Sequence, residues 1–336
     1  MLDTASLVEI LAQPKNIVIT THHKPDGDAM GSSLGVYNYL IQQGHHAKVI
    51  TPTDYPDYFN WMPGNDKVIV YTEKENEAAG LIDKADVIFC LDFNALSRIN
   101  EMGALVEKSK AVKILIDHHL EPQDFDDYRH WDVNACATAQ LVYTFIVDEL
   151  KSKELVNKDV ATCLYVGIMT DSASFRLPNT TSAVHRITAD LIDAGAVNWK
   201  IYDLVYNNSS ENRLRFLGLC LYERLEVLPE FNTAIITASK HDLEQYDIKT
   251  GETEGIVNYG LSIAGIRLAA FIVERSGKIK LSLRSIGEVP ANDICKKYFD
   301  GGGHYNAAGG HSTDSLEKVV GQFKKILPEY KKLLIN

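Results

Sequence analysis

NIVITTHHKPDGDAMGS, residues 16–32, decides how the chain is read. Its first five residues form an apolar, β-branched run that reads as a buried strand. The strand gives way at once to His22, His23, Asp26 and Asp28, all within seven residues, and a helical pattern follows from about 29 to 43. Strand, short polar loop and helix make the first half of a βα unit. Carboxylates set this close around a glycine repel each other unless something positive lies between them. A metal ion is the simplest such object.

Working outward, the first half of the chain keeps alternating. HAKVI (46–50), DKVIVY (66–71), ADVIFCLD (85–92) and AVKILID (111–117) are apolar runs, and the last two each end on an aspartate. EMGALVEKS (101–109) and ATAQLVYTFIVDEL (137–150) have helical spacing. Apolar strands alternating with helices predict a parallel sheet covered on both faces, with sites at the carboxyl ends of the strands. From about 157 to 224 the pattern is helical: KDVATCLYVGIMTD, SAVHRITADLIDAG and ENRLRFLGLCLYERLEVL. Strand signals return in NTAIITAS, GIRLAAFIVE and KIKLSLRS, with helices expected over 291–298 and 315–334. The expected architecture is α/β: an N-terminal parallel-sheet domain flanked by helices (1–195), a helical linker (196–225) and a smaller C-terminal α+β domain (226–336).

Composition narrows the function. At 336 residues, two domains are expected. No apolar run approaches a membrane span, and MLDTASLVEI has no signal-like segment. Five cysteines without a CxxC pair suit reduced thiols in a cytoplasmic protein. A net charge of −11 disfavours a grip on long duplex nucleic acid but leaves small anionic substrates open. The oligomeric state is not legible, and a homodimer is compatible with the sequence.

Four clusters carry the chemistry: His22, Asp26 and Asp28; Asp92 in CLDFN; Asp117, His118 and His119 after ILI; and Asp171 in GIMTDSASFR. A lone aspartate at a strand end is usually a turn former or helix cap. Together, carboxylates and imidazoles suit Mn²⁺, Mg²⁺, Zn²⁺ or Co²⁺, and a carboxylate-bridged pair of such ions suits phosphate ester hydrolysis. The glycine-rich GGGHYNAAGG from Gly301 reads as a loop or tight helix start, whose backbone amides at Gly302 and Gly303 can approach an anion beside His304. Arg284, ending the strand before it, is a candidate bidentate phosphate ligand.

The chain resembles the DHH phosphoesterases. The first family motif, HxxPDGDAxGSxxG, is present as HHKPDGDAMGSSLG from His22 to Gly35, DHH stands at 117–119, and the associated-domain motif GGGHxxAAG begins at Gly301. Within the family, the two-domain bacterial nano-RNases that also act on 3′-phosphoadenosine 5′-phosphate (pAp) are the most similar. The resemblance implies two Mn²⁺ ions, one on His22, Asp26 and Asp92, the other on Asp28, Asp92, His118 and Asp171. It implies that His119 works near the leaving group or the attacking water, that Asp117 orients a histidine, and that Arg176 assists. Arg284, Gly302, Gly303 and His304 would hold the terminal phosphate of a short oligonucleotide, with Asn258 in GIVNYG a weaker match. Where the family has TDTGxFR, this chain has TDSASFR, differing at Ser172 and Ala173. The implied activity is Mn²⁺-dependent hydrolysis of short oligonucleotides and pAp. Its rivals are a linear dinucleotide (pApA-type) phosphodiesterase, a RecJ-like exonuclease and a catalytically silent nucleotide-binding regulator.

Overall fold

The computed structural model describes residues 2–275 and 277–335. The chain forms two compact units, one ending at Asn208 and the next beginning at Ser209.

The first unit is built on β1 (Asn16–Thr21), β2 (His46–Thr51), β3 (Ile69–Val70), β4 (Val87–Leu91), β5 (Val112–Asp117) and β6 (Tyr128–Trp131). They form one sheet in the order β3-β2-β1-β4-β5-β6, every pair parallel. Among the described residues its α-helices are α1 (Thr4–Leu11), α2 (Gly27–Gln42), α3 (Glu75–Asp83), α4 (Met102–Lys108), α5 (Thr138–Thr144), α6 (Lys158–Asp171), α7 (Ser182–Asp193) and α8 (Asn198–Tyr206). Alternation along the strands explains their apolar runs. Ile17, Ile19, Phe89, Leu91, Ile114 and Ile116 pack on one face against α2, α5, α6 and α7. Val18, Ile88, Cys90 and Leu115 pack on the other against α3 and α4. Both faces are dry, so neither needs polar residues.

The strand order reverses between β1 and β4, which makes the ends of these two neighbours the switch point of the sheet. Helices α2 and α6 cross close by on glycine. A Cβ at Gly31 would lie 2.6 Å from the Cys163 carbonyl oxygen, and one at Gly167 would lie 2.7 Å from Asp28 Oδ1. Small residues at this crossing are what bring the first turn of α2 and the end of α6 together.

The second unit contains α9 (Glu211–Tyr222), β7 (Leu225–Leu228), β8 (Thr233–Ala238), α10 (Lys240–Gln245), α11 (Ile256–Leu261), β9 (Leu268–Arg275), β10 (Lys278–Ser285), α12 (Ala291–Tyr298), β11 (Gly302–His304), β12 (Ala307–Ser312), α13 (Leu316–Ile326) and α14 (Lys331–Ile335). Its sheet runs β11-β12-β10-β9-β8-β7, antiparallel except for the β8–β9 pair. The architecture is the α/β, then α+β, arrangement expected. Among the described residues no helix is long and apolar enough to cross a membrane, and all five cysteines are buried and unbridged.

Two local readings need correction, and one strand had no sequence signal. The helix begun at Glu211 ends at Tyr222, and Leu225–Leu228 is a strand because it pairs with β8 across the turn at Pro229. YRHW, without an apolar run, forms the edge strand β6, which β5 alone flanks. GGGHYNAAGG is neither a loop nor a helix start but the hairpin β11–β12. Its small residues serve close packing: a Cβ at Gly310 would lie 2.8 Å from Phe299, and one at Gly301 only 2.1 Å from the Gly309 carbonyl oxygen.

Candidate metal centre

The switch point gathers the acidic and imidazole groups. His22 follows β1, Asp92 follows β4, Asp117 ends β5, and His118 and His119 come next. Asp26 caps α2, its Oδ1 accepting from the amides of Asp28 and Ala29, which leaves Oδ2 facing His22 Nε2 at 3.9 Å. Asp28 lies in the first turn of α2 and Asp171 is the last residue of α6.

Asp92 is central. Its Oδ2 is 3.5 Å from His22 Nε2 and its Oδ1 is 3.5 Å from His118 Nε2. His118 Nε2 is also 3.8 Å from Asp28 Oδ2 and 3.5 Å from Asp171 Oδ2. Asp92 has φ +63°, a left-handed conformation that costs a residue with a side chain energy and aims this carboxylate across the crevice. Three ligand-like groupings share it: His22, Asp26 and Asp92; Asp28, Asp92 and His118; and Asp92, Asp117 and His119.

The two histidines are held alike. His22 Nδ1–H donates to the His23 carbonyl at 2.9 Å, and His118 Nδ1–H donates to the Ala135 carbonyl at 3.1 Å. A carbonyl can only accept, so in the neutral ring the bare nitrogen is Nε2, and in both residues Nε2 is the atom turned to the carboxylates. That is the tautomer a metal ligand needs, and nitrogen and oxygen donors of this kind fit a hard or borderline divalent cation.

Electrostatics point the same way. Burial disfavours the imidazolium of His118, but its hydrogen bond to Asp92 and the charges of Asp171, Asp92 and Asp28 outweigh that and raise its pKa well above the ordinary value. His22 is raised for the same reasons, against burial, by Asp92 and Asp26. Burial, then the charges of Asp92 and Asp171, push Asp28 well up. Burial opposes ionisation of Asp92 too, but His118 and His22 hold it well down. A cluster that raises its bases and one of its acids together is short of positive charge.

His119 is arranged differently. Its Nδ1 is 2.7 Å from Oδ1 of the fully buried Asp117 and 3.7 Å from Asp92 Oδ1. Asp117 thus orients His119. Arg176 is exposed beyond Asp171, and among the described residues its side chain makes no hydrogen bond or ion pair with the cluster.

In the second unit, the hairpin register is informative. Arg284 of β10 and His304 of β11 both pair with Ala307 of β12, one from each side. Paired residues share a sheet face, so both side chains rise on the same face, about 10 Å apart at Cα with a small residue between. Gly302 and Gly303 lie on the edge strand β11. Asn258 is exposed inside α11, whose N-cap is Gly255, so it is not a capping residue.

Sequence reasoning missed two residues. Thr138, the first residue of α5, donates its amide to Asp28 Oδ2 at 2.6 Å and its hydroxyl to Asp92 Oδ1 at 2.9 Å, while the Ala139 amide reaches Asp28 Oδ1 at 2.9 Å. Arg98 accepts at its carbonyl from the His23 amide and Nδ1, and its charge bears on His22. Its place in ALSRI, just beyond the end of β4, was the available signal.

The chain belongs to the DHH family: the DHH family N-terminal domain matches residues 16–168 and the DHHA1 domain matches residues 232–334. Among relatives, the Bifunctional oligoribonuclease and PAP phosphatase NrnA of Thermus thermophilus is 32% identical over 87% of this chain and 83% of its own. The Bacillus subtilis protein of that name is 25% identical over 96% and 98%. The crystal structure of an exopolyphosphatase-related protein from Bacteroides fragilis superposes with a TM-score of 0.94 at 38% identity, covering 99% of this chain and 97% of that one.

Proposed function

We propose that the chain hydrolyses phosphoester bonds in short oligonucleotides and in pAp, using two divalent ions, Mn²⁺ by preference. The observation that carries this is Asp92, whose two oxygens each stand 3.5 Å from a different imidazole Nε2. Such a carboxylate is suited to serve two ions at once. One would be held by His22, Asp26 and Asp92, the other by Asp28, Asp92, His118 and Asp171. When bound, these ions supply Lewis-acid polarisation of a phosphoryl oxygen and offset the charge of the attacked phosphate.

The remaining steps belong to side chains. Thr138 and the start of α5 fix Asp28 and Asp92. Asp117 fixes the His119 ring through Nδ1, which leaves Nε2 as the nitrogen suited to pass a proton to the leaving oxygen. Arg284 and His304, with Gly302 and Gly303, hold a terminal phosphate, and Asn258 and Arg176 have supporting parts at most. The names of the relatives support the substrate class.

The test is turnover with Mn²⁺ of pAp, a dinucleotide, a 24-nucleotide strand and pyrophosphate. Cleavage of the first two, with slow cleavage of the long strand, is expected. Preference for the long strand or for pyrophosphate overturns the reading.

A further inference from the structure

Trp131 ends β6 and pairs with Asp117 across the β5–β6 ladder. Its indole Nε1–H donates to the His119 carbonyl at 2.7 Å. The ring is therefore fixed to the backbone of His119, the residue whose imidazole Nδ1 stands 3.7 Å from Asp92 Oδ1. Yet 39% of this tryptophan is exposed. Leu120, directly after His119, and Val133 are the other large apolar side chains exposed in this stretch. The segment that carries Trp131 also supplies the Ala135 carbonyl to His118 and Thr138 to the two carboxylates, so the indole is held in a set place relative to the acidic cluster.

The chemistry of the surroundings selects what could lie on that ring. Residues 120–134 carry Glu121, Asp124, Asp126, Asp127 and Asp132, against one arginine. That arginine, Arg129, is engaged by Asp124 and Asp126. A phosphate would be repelled here. An uncharged planar group would not, and every nucleobase offers a π-face that stacks without a hydrogen-bond code. An indole already pinned by its own N–H has little freedom left to lose on binding, which favours stacking further.

We propose that Trp131 is a stacking platform for a nucleobase, placed so that a base is read beside the phosphate that is attacked. This rests on the nucleotide phosphoesterase reading above and adds which part of the substrate, other than phosphate, the first unit recognises. The platform makes the protein discriminate base-bearing esters from equally charged ones that lack a base, by stacking rather than by base identity.

The experiment measures kcat/KM for a dinucleotide and for its abasic analogue of the same charge, at fixed salt with Mn²⁺, in wild type, Trp131→Leu and Trp131→Phe. Wild type should prefer the base-bearing substrate by about 5- to 150-fold. Trp131→Leu should lose most of that ratio, through KM. Trp131→Phe, with an aromatic face but no N–H, should keep most of it. An unchanged ratio in Trp131→Leu overturns the proposal. So does an equal fall of kcat on both substrates, which would mean the indole only steadies His119. Self-association lost in Trp131→Leu with base preference intact marks the surface as a contact between copies, and likewise overturns it. If wild type turns over neither substrate, the phosphoesterase reading fails on its own. The platform is then judged by pAp quenching of tryptophan fluorescence, expected in wild type and absent in Trp131→Phe; no quenching in wild type overturns it. The same fluorescence comparison decides the matter should Trp131→Leu not fold.

Discussion

Replacing Asp117 with asparagine keeps the shape of the side chain and removes its charge. Asp117 is fully buried, and its Oδ1 takes the His119 Nδ1–H at 2.7 Å. A hydrogen bond to an ionised partner is worth about 1.5–3 kcal/mol, against about 0.5–1.5 kcal/mol for a neutral one. The variant should therefore lose about 1–2 kcal/mol of the restraint on the ring. At 1.36 kcal/mol per factor of ten, kcat should fall roughly 5- to 30-fold. The assay is steady-state turnover of pAp at saturating Mn²⁺, with metal content measured on the same samples. KM and metal content should hold while kcat falls, because Asp117 acts through His119 and not on the ions. A parallel loss of metal would put Asp117 in the ligand set, and kcat within twofold of wild type would mean the pairing has no part in the reaction.

Asp92→Ala should abolish turnover and remove both ions from the purified protein; near-native activity in Mn²⁺ would contradict a shared carboxylate. Metal binding should release protons and strengthen as pH rises from 6 to 8. The pKa values of His22 and His118 are raised by the surrounding carboxylates, so an ion displaces more proton from them than from ordinary histidines; calorimetry in two buffers of different ionisation enthalpy reads the number, and none released refutes the assignment. Ala173→Gly should raise the melting temperature of the first unit's transition by roughly 2–4 °C, about 1 kcal/mol, since Ala173 is held at φ +49°; a lower melting temperature would mean the strain is not there. Arg284→Ala should raise KM for substrates with a terminal phosphate by the equivalent of about 2–4 kcal/mol, and a length profile identical to wild type would remove the phosphate grip.

Much of the first unit was legible because its physics is simple. β4 and β5 are covered on both faces, so their runs are almost wholly apolar, and Asp92 just after the one and Asp117 at the end of the other stand out. β6 was not legible, because an edge strand flanked on one side tolerates Arg129 and His130. The β11–β12 hairpin was hidden for the opposite reason: its glycines and alanines carry no periodicity, and the pairing is imposed by β10 and Phe299 packed against them. The acidic centre could be anticipated from carboxylates at strand ends. Thr138 could not, since it acts largely through a backbone amide, a group every residue but proline offers. Asp117 was expected to orient a histidine, and the histidine it is hydrogen-bonded to is His119.

The donors around Asp92 come from the ends of β1, β4 and β5, the first turn of α2 and the last residue of α6. No short segment contains a complete set, so the unfolded chain has little to offer an ion. If these residues hold metal as proposed, a chain emerging from the ribosome cannot load either site before β1 and β4 have paired, nor the second before Asp171 is out. Loading is then the last event of maturation, and the supply of free ion sets the active fraction. Because ions bind the finished fold alone, each site filled at a hundredfold excess over its Kd adds about 2.7 kcal/mol of stability. A cell starved of the metal would hold a protein that is both idle and easier to degrade.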